Sequence, residues 1–196
     1  VAGVNRRLGD LTLEGAQGLD VGSYFSEEFA GERIPTLEEA LALCQGRLKL
    51  NIELKDLGAD SCLPEKTAEI IREWGMEEQC VISSVRLSYL ERVKAVCPEL
   101  KAGLILPAAY GRYYEDESVD FISIRASLAN RRLVEAAHEA GRAVHVWTVN
   151  RPAELKSMAL LGVDNLITDY PARAREILYE EAASGGILDS LRMLLR

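Results

Sequence analysis

The sequence contains few cysteines and no long hydrophobic run, and each of these features excludes a class of protein. Its 196 residues include four cysteines, Cys44, Cys62, Cys80 and Cys97, which form no CxxC pair and no zinc-ligand spacing. We interpret them as small buried hydrophobic side chains in a reducing compartment, with disulfide pairing as the alternative. No apolar run approaches the roughly 20 residues that cross a bilayer. A disulfide-dense mini-protein and a membrane-spanning helix are therefore not expected.

Positive charge is also scarce. Basic side chains number 23 and acidic ones 31, which gives a net charge of -8. A general nucleic-acid-binding protein needs a basic face to contact phosphates, so we expect no nucleic-acid partner. The first residues, Val-Ala-Gly, include no methionine and do not begin a basic-then-apolar signal peptide. We expect a cytoplasmic chain, or a piece of a membrane-associated parent protein that has further residues upstream.

Short β-rich runs alternate with helical patterns from residue 48 onward. The β-rich runs lie at 48–54, 80–84, 100–106, 121–124, 143–149 and 165–168, and the helical patterns lie at 63–74, 87–96, 129–140, 152–161 and 172–183. This alternation predicts an α/β fold with parallel strands and right-handed crossovers. Six units of about 23 residues each match the repeat of a TIM-type (β/α)8 barrel.

The chain outside these units is different in character. Residues 1–33 contain scattered charges and only short helical patterns, so we expect a loop-rich segment outside the barrel. Residues 34–183 are expected to form part of a barrel, and residues 184–196 a short amphipathic helix. Thr36 followed by Glu39 predicts a capping box at a helix start. Gly75 and Gly162 follow helical patterns where left-handed C-caps are expected.

The strand predicted at 48–54 has one polar face. Side chains alternate along a strand, so Lys49, Asn51, Glu53 and Lys55 share the face opposite four aliphatic residues. In a barrel the aliphatic face would contact the helices, and Glu53 and Lys55 would lie at the carboxyl end, where barrel active sites form. A buried carboxylate there needs a cation, either Lys55 or a divalent metal. An exposed edge strand with a Glu–Lys pair is the alternative, and the pattern alone does not choose.

A series of short motifs extends along nearly the whole chain. They are DLTLE at 10–14, GSYFS at 22–26, FAGER at 29–33, IPTLEEA at 34–40, LNIELK at 50–55, VISS at 81–84, AAHEAG at 136–141, VWTVN at 146–150, GVD at 162–164 and ITDYP at 167–171. In this order they resemble the glycerophosphodiester phosphodiesterase family. The resemblance implies a TIM-type barrel enzyme of lipid and glycerol metabolism that hydrolyses glycerophosphodiesters to glycerol 3-phosphate and an alcohol.

The same resemblance implies roles for three residues. It makes Glu53 a ligand of a divalent metal, Lys55 a catalytic residue that faces the phosphate, and Trp147 a residue that lines the substrate pocket. Because the oxygen ligands are hard, Mg²⁺ or Ca²⁺ is the expected cofactor. The metal would act as a Lewis acid on a phosphate oxygen, and the lysine would stabilise the developing negative charge.

The family's first two strands have no counterpart in this sequence. They bring a His-Arg-Gly motif with a metal-ligand glutamate, and a His-Asp pair, whereas neither histidine of this sequence is followed by Arg or Asp. The resemblance therefore implies that the six units correspond to strands three to eight, with residues 1–33 a remnant of the insertion after strand two. We expect the isolated chain to be an inactive fragment, completed by a missing N-terminal segment or by a homo-oligomer.

Several interpretations stay open from the residues alone. His138 is expected on the surface near a helix C-terminus, and His145 in the core with its ring nitrogens satisfied, rather than in catalysis. Arg86 follows the strand at 80–84 and would either meet a phosphate or begin a solvated helix face. The alternative functions are a non-catalytic barrel-derived module that binds a partner, and a related phospholipase-type phosphodiesterase.

Overall fold

A computed structural model of the chain describes residues 2–55, 62–108 and 111–183. Six parallel strands form one sheet in the order of the sequence, and helices connect them. Within the described residues the sheet is an open, partial barrel whose two edges are the first and last strands. No helix in these ranges is long and apolar enough to cross a membrane. The amphipathic helix predicted at 184–196 lies outside the described residues.

The elements follow the predicted alternation. The strands are β1 (Leu50–Glu53), β2 (Cys80–Ser84), β3 (Lys101–Leu106), β4 (Phe121–Arg125), β5 (Ala143–Trp147) and β6 (Asn165–Leu166). The α-helices are α1 (Leu13–Gln17), α2 (Leu37–Cys44), α3 (Leu63–Glu73), α4 (Leu87–Val96), α5 (Arg131–Glu139), α6 (Pro152–Leu161) and α7 (Pro171–Ala183). Short 3-10 helices occur at Leu8–Asp10, Glu27–Phe29, Tyr113–Glu115 and Ala126–Leu128. The strands predicted at 48–54, 143–149 and 165–168 are each shorter than predicted.

In the described part of the chain, helices cover the outer side of the sheet. Side chains on this outer side are fully buried, and they include Ile82, Ile122, Ile124, Val144 and Val146. The other side is concave, and the register places alternate residues of neighbouring strands on it. The ring of one such residue, Phe121, covers Gly103 in the next strand so closely that an added Cβ would lie 2.0 Å from it. A side chain at position 103 would therefore displace that ring.

Local capping signals are formed as predicted. The Thr36 amide donates to the Glu39 carboxylate at 2.7 Å, and the Thr36 hydroxyl accepts from the Glu39 amide at 3.2 Å, which completes the capping box of α2. Gly162 ends α6 with φ of 82°, in the left-handed region. Gly75 has φ of 60° after α3. These three helix ends depend on short-range contacts, which explains why the sequence alone located them.

A loop in the N-terminal segment is built around one carboxylate. Asp20 accepts hydrogen bonds from the amides of Gly22 and Ser23, each at 2.9 Å, and from the Gly31 amide at 2.8 Å. The Ser23 hydroxyl also donates to it, at 2.7 Å. Since these donors favour the charged form, they hold the pKa of Asp20 well below its ordinary range, the Ser23 amide contributing most. The loop leaves Tyr24 and Phe25 exposed.

Two aspartates accept hydrogen bonds from backbone amides at the amino edge of the sheet, the edge at which the strands begin. Asp120 accepts a hydrogen bond from the amide of the second residue of β3 at 2.7 Å and pairs with Lys94 of α4 at 2.6 Å. Asp164 repeats the arrangement at the second residue of β5, also at 2.7 Å, with His138 of α5 at 2.9 Å. His138 thus lies near the C-terminus of its helix, partly exposed, and its predicted position is confirmed.

Candidate functional site

The end of β1 presents Glu53 and Lys55 on the concave side of the sheet. Leu54, the residue between them, is buried, and its amide donates to the Ser83 carbonyl at 2.7 Å. Its carbonyl accepts from the Ser84 hydroxyl at 2.9 Å. The chain on either side of Leu54 is therefore fixed against β2, and this fixes where the two charged side chains begin. They lie at the carboxyl edge of the sheet, the edge at which the strands end.

The ion pair between these two side chains is loose. Lys55 Nζ lies 3.6 Å from Glu53 Oε2, and the side chains are 73% and 43% exposed. This separation exceeds hydrogen-bond length, so the pair contributes little to stability. The described residues show the alternative of an exposed edge strand with a Glu–Lys pair rather than a buried carboxylate, because β1 is an edge of the sheet. The Glu53 oxygens remain able to bind a cation.

The chemistry of Glu53 fits one ligand of a hard divalent cation. A carboxylate supplies the anionic oxygen that Mg²⁺ and Ca²⁺ prefer. Glu77, Cys97 and Glu99 form a second group of metal-ligand type, with ligand atoms within 4.8 Å of one another. That group lies at the amino edge, before β2 and β3, and burial raises the pKa of the Cys97 thiol and keeps it protonated. Glu53 is the better candidate ligand because it lies at the carboxyl edge.

Trp147 ends β5 at the same carboxyl edge, four strands away from Glu53. Arg125 is its partner in the register with β4, and the guanidinium carbon lies 5.4 Å from the centroid of the indole ring. The indole Nε1 is buried and has no hydrogen-bond partner in the described part of the chain. The peptide bond after Trp147 is cis. The structure thus places Trp147 at the same edge of the sheet as Glu53 and Lys55, on a different strand.

His145 lies one layer deeper on the same face. Its ring stacks on Phe121 with a centroid distance of 4.0 Å, and the residue is 9% exposed. The predicted core location is confirmed, but the expected satisfaction of the ring is wrong, because Nδ1 has no partner among the described residues. Burial lowers the pKa of His145 to about 4, since the charged imidazolium would lose its hydration.

We expect His145 to make folding stability depend on pH. The unfolded chain binds a proton at His145 near pH 6.5, whereas the folded chain does so only near pH 4. Stability should therefore fall as the pH drops between these values, by up to about 3 kcal/mol. Urea unfolding of the wild type and of His145→Gln across this range would measure the difference. Equal pH slopes for the two proteins would contradict the prediction.

Asn150 connects the ends of β5 and β6. Its side-chain carbonyl accepts from the Thr168 hydroxyl at 3.0 Å and from the Asp169 amide at 2.9 Å, and its amide nitrogen donates to the Asp169 carboxylate at 2.6 Å. Asn150 belongs to the VWTVN motif, but its contacts with Thr168 and Asp169 follow from no local pattern.

Arg86 directly precedes α4, where its guanidinium carbon lies 5.7 Å from the centroid of the Tyr89 ring.

The comparisons with known proteins agree on one family. The sequence model of the glycerophosphoryl diester phosphodiesterase family matches residues 1–173. A glycerophosphodiester phosphodiesterase of Caldanaerobacter subterraneus subsp. tengcongensis is 35% identical over 167 residues, which are 83% of this chain and 69% of that protein. One from Bacillus altitudinis is 28% identical over 180 residues, covering 87% and 73%.

A solved structure gives the same result. A phosphodiesterase from Oleispira antarctica, in complex with the product sn-glycerol 3-phosphate, superposes with a TM-score of 0.75 at 25% identity. The match covers 87% of this chain and 72% of that one. The chain therefore spans 69–73% of the length of these three proteins.

Proposed function

Because the chain belongs to the glycerophosphoryl diester phosphodiesterase family, whose members hydrolyse phosphoric diesters, we propose that the protein releases glycerol 3-phosphate and an alcohol from glycerophosphodiesters. The observation that carries this proposal is the placement of Glu53 and Lys55 at the carboxyl edge of a parallel sheet, where barrel enzymes react. The product bound to the Oleispira antarctica relative gives the substrate class. A role in lipid and glycerol metabolism would follow from that substrate.

The six strands would form three quarters of an eight-stranded barrel. A TIM-type barrel closes with eight parallel strands, and the described sheet has open edges at β1 and β6. We propose that two further strands fill this gap, from a preceding segment of the natural polypeptide or from a second copy. Residues 1–33 would then be part of the insertion after the second strand. An open parallel edge otherwise pairs readily with other chains.

Three residues at the carboxyl edge would have distinct roles. Glu53 would hold a divalent cation, Mg²⁺ or Ca²⁺, which as a Lewis acid stabilises negative charge on a phosphate oxygen. Lys55 carries an exposed ammonium group that can donate three hydrogen bonds, so it would bind phosphate oxygens and offset their charge. Trp147 would form an apolar wall of the pocket.

The test is a product assay on the natural gene product that contains this sequence. Incubation with glycerophosphocholine should release glycerol 3-phosphate, and EDTA should stop the release. A cyclic phosphate product, identified by ³¹P NMR, would instead support the phospholipase-type alternative. Unchanged substrate at every metal concentration would contradict the proposal and favour a non-catalytic binding module.

A further inference from the structure

Arg125 ends β4 at the carboxyl edge and lies on the concave side of the sheet. Phe121 and Arg125 are four residues apart in one strand, so they share a face, and Phe121 contacts the concave residue His145. Arg125 is exposed, and its guanidinium lies over the indole of Trp147. Among the described residues, that ring is the sole partner of the Arg125 side chain. The side chain therefore points to the region that the proposed substrate would occupy.

Some other exposed arginines of the described residues are each neutralised by a nearby carboxylate. Arg112 pairs with Glu115 at 2.7 Å, and Arg151 pairs with Glu154. No carboxylate pairs with Arg125 in the described ranges. Its positive charge is thus available at the carboxyl edge, in a chain whose net charge is negative.

A cation–π contact with an indole orients a guanidinium and uses none of its N–H groups in a hydrogen bond to an oxygen. The five N–H groups of the guanidinium therefore remain able to donate to a ligand. Two of these donors match two oxygens of a phosphate, and such charge-assisted pairs are stronger than neutral hydrogen bonds. A guanidinium already held by Trp147 also loses less freedom when a ligand binds.

We propose that Arg125 binds a phosphate oxygen of the ligand and that Trp147 positions it for this. The inference rests on the proposed function for the identity of the ligand, a glycerophosphodiester or its product glycerol 3-phosphate. Arg125 would add a second cationic contact on the concave side, three strands away from the strand of Lys55. Recognition of the phosphate would then come from two distant strands, β1 and β4.

The test is calorimetric titration of the natural gene product with glycerol 3-phosphate, inorganic phosphate and glycerol. Arg125→Gln should weaken binding of glycerol 3-phosphate about ten- to a hundredfold, and Arg125→Lys should weaken it less. Trp147→Leu should also weaken binding, because it removes the surface that orients the guanidinium. Arg175→Gln is the matched control. The Arg175 guanidinium carbon lies 5.3 Å from the centroid of the Tyr179 ring, but Arg175 belongs to α7 and not to a strand of the sheet.

Each outcome decides for or against the inference. Saturable binding of both anions but not of glycerol, weakened to this extent in Arg125→Gln and unchanged in Arg175→Gln, supports a phosphate contact. Equal affinities of the wild type and Arg125→Gln, equal losses in both arginine variants, or no anion binding by the wild type would overturn it. Hydrolysis of diesters with unchanged kcat/KM in Arg125→Gln would overturn the inference alone. Anion binding through Arg125 without any hydrolysis would overturn the proposed function alone.

Discussion

Glu53→Gln is expected to reduce hydrolysis of glycerophosphodiesters by the natural gene product by about 10²-fold or more, the effect of removing one stabilising group from an active site. The amide keeps the size of the side chain but removes the charge that a divalent cation needs. Because the pair with Lys55 is loose and exposed, the melting temperature without metal should barely change. Steady-state kinetics and thermal unfolding in EDTA would measure the two effects.

The matched control for this variant is Glu135→Gln. Glu135 is likewise exposed and loosely paired, with Arg131 at 3.8 Å, but it lies on α5. It should leave kcat/KM unchanged. If Glu53→Gln kept its activity and lost thermal stability instead, Glu53 would be a structural residue and its assignment as a metal ligand would be wrong.

The 196-residue polypeptide by itself is expected to be a very poor phosphodiesterase. The sequence has two histidines, and neither lies at the carboxyl edge. His138 is paired with Asp164 at the amino edge, and His145 is buried against Phe121. General acid–base catalysis contributes about 10²–10⁴-fold, so its loss alone would bring an ordinary enzyme close to inactivity. The turnover of glycerophosphocholine by the purified polypeptide would measure this.

Addition of strands in trans would extend the experiment. A peptide that contains the first two strands of a family member, with their histidines, should raise the turnover if it completes the sheet between β6 and β1. The same peptide with both histidines replaced by alanine is the control. Turnover at about 10 s⁻¹ by the polypeptide alone, the median of enzymes, would refute the prediction.

The bounds of helices were predictable where their signals are local. Both α4 and α6 have the predicted bounds, and α6 begins at a proline and ends at a left-handed glycine. The strand predicted at 48–54 begins later, at Leu50, because that residue is the first to pair with β2. Leu48 continues the apolar alternation but is 62% exposed. Strand length depends on a partner about 30 residues away, which a local pattern does not contain.

Part of the candidate site was predictable because it lies within one strand. Glu53 and Lys55 belong to one alternating strand, so their common face followed from the sequence. The pairing of Arg125 with Trp147 did not, because it depends on the register between β4 and β5. The unsatisfied nitrogen of His145 was also missed, since the ring stacking that buries it joins two strands.

The paired aspartates of the amino edge have a consequence for how the chain folds. Asp120 accepts a hydrogen bond from an amide 18 residues earlier in the chain, and Asp164 accepts one from an amide 20 residues earlier. Every strand also pairs with its neighbour in sequence. Contacts of short sequence separation cost little loop-closure entropy and form early. Folding can therefore begin within any two adjacent βα units and spread outward. The central strands would be the last to exchange their amide hydrogens, and β1 and β6 the first.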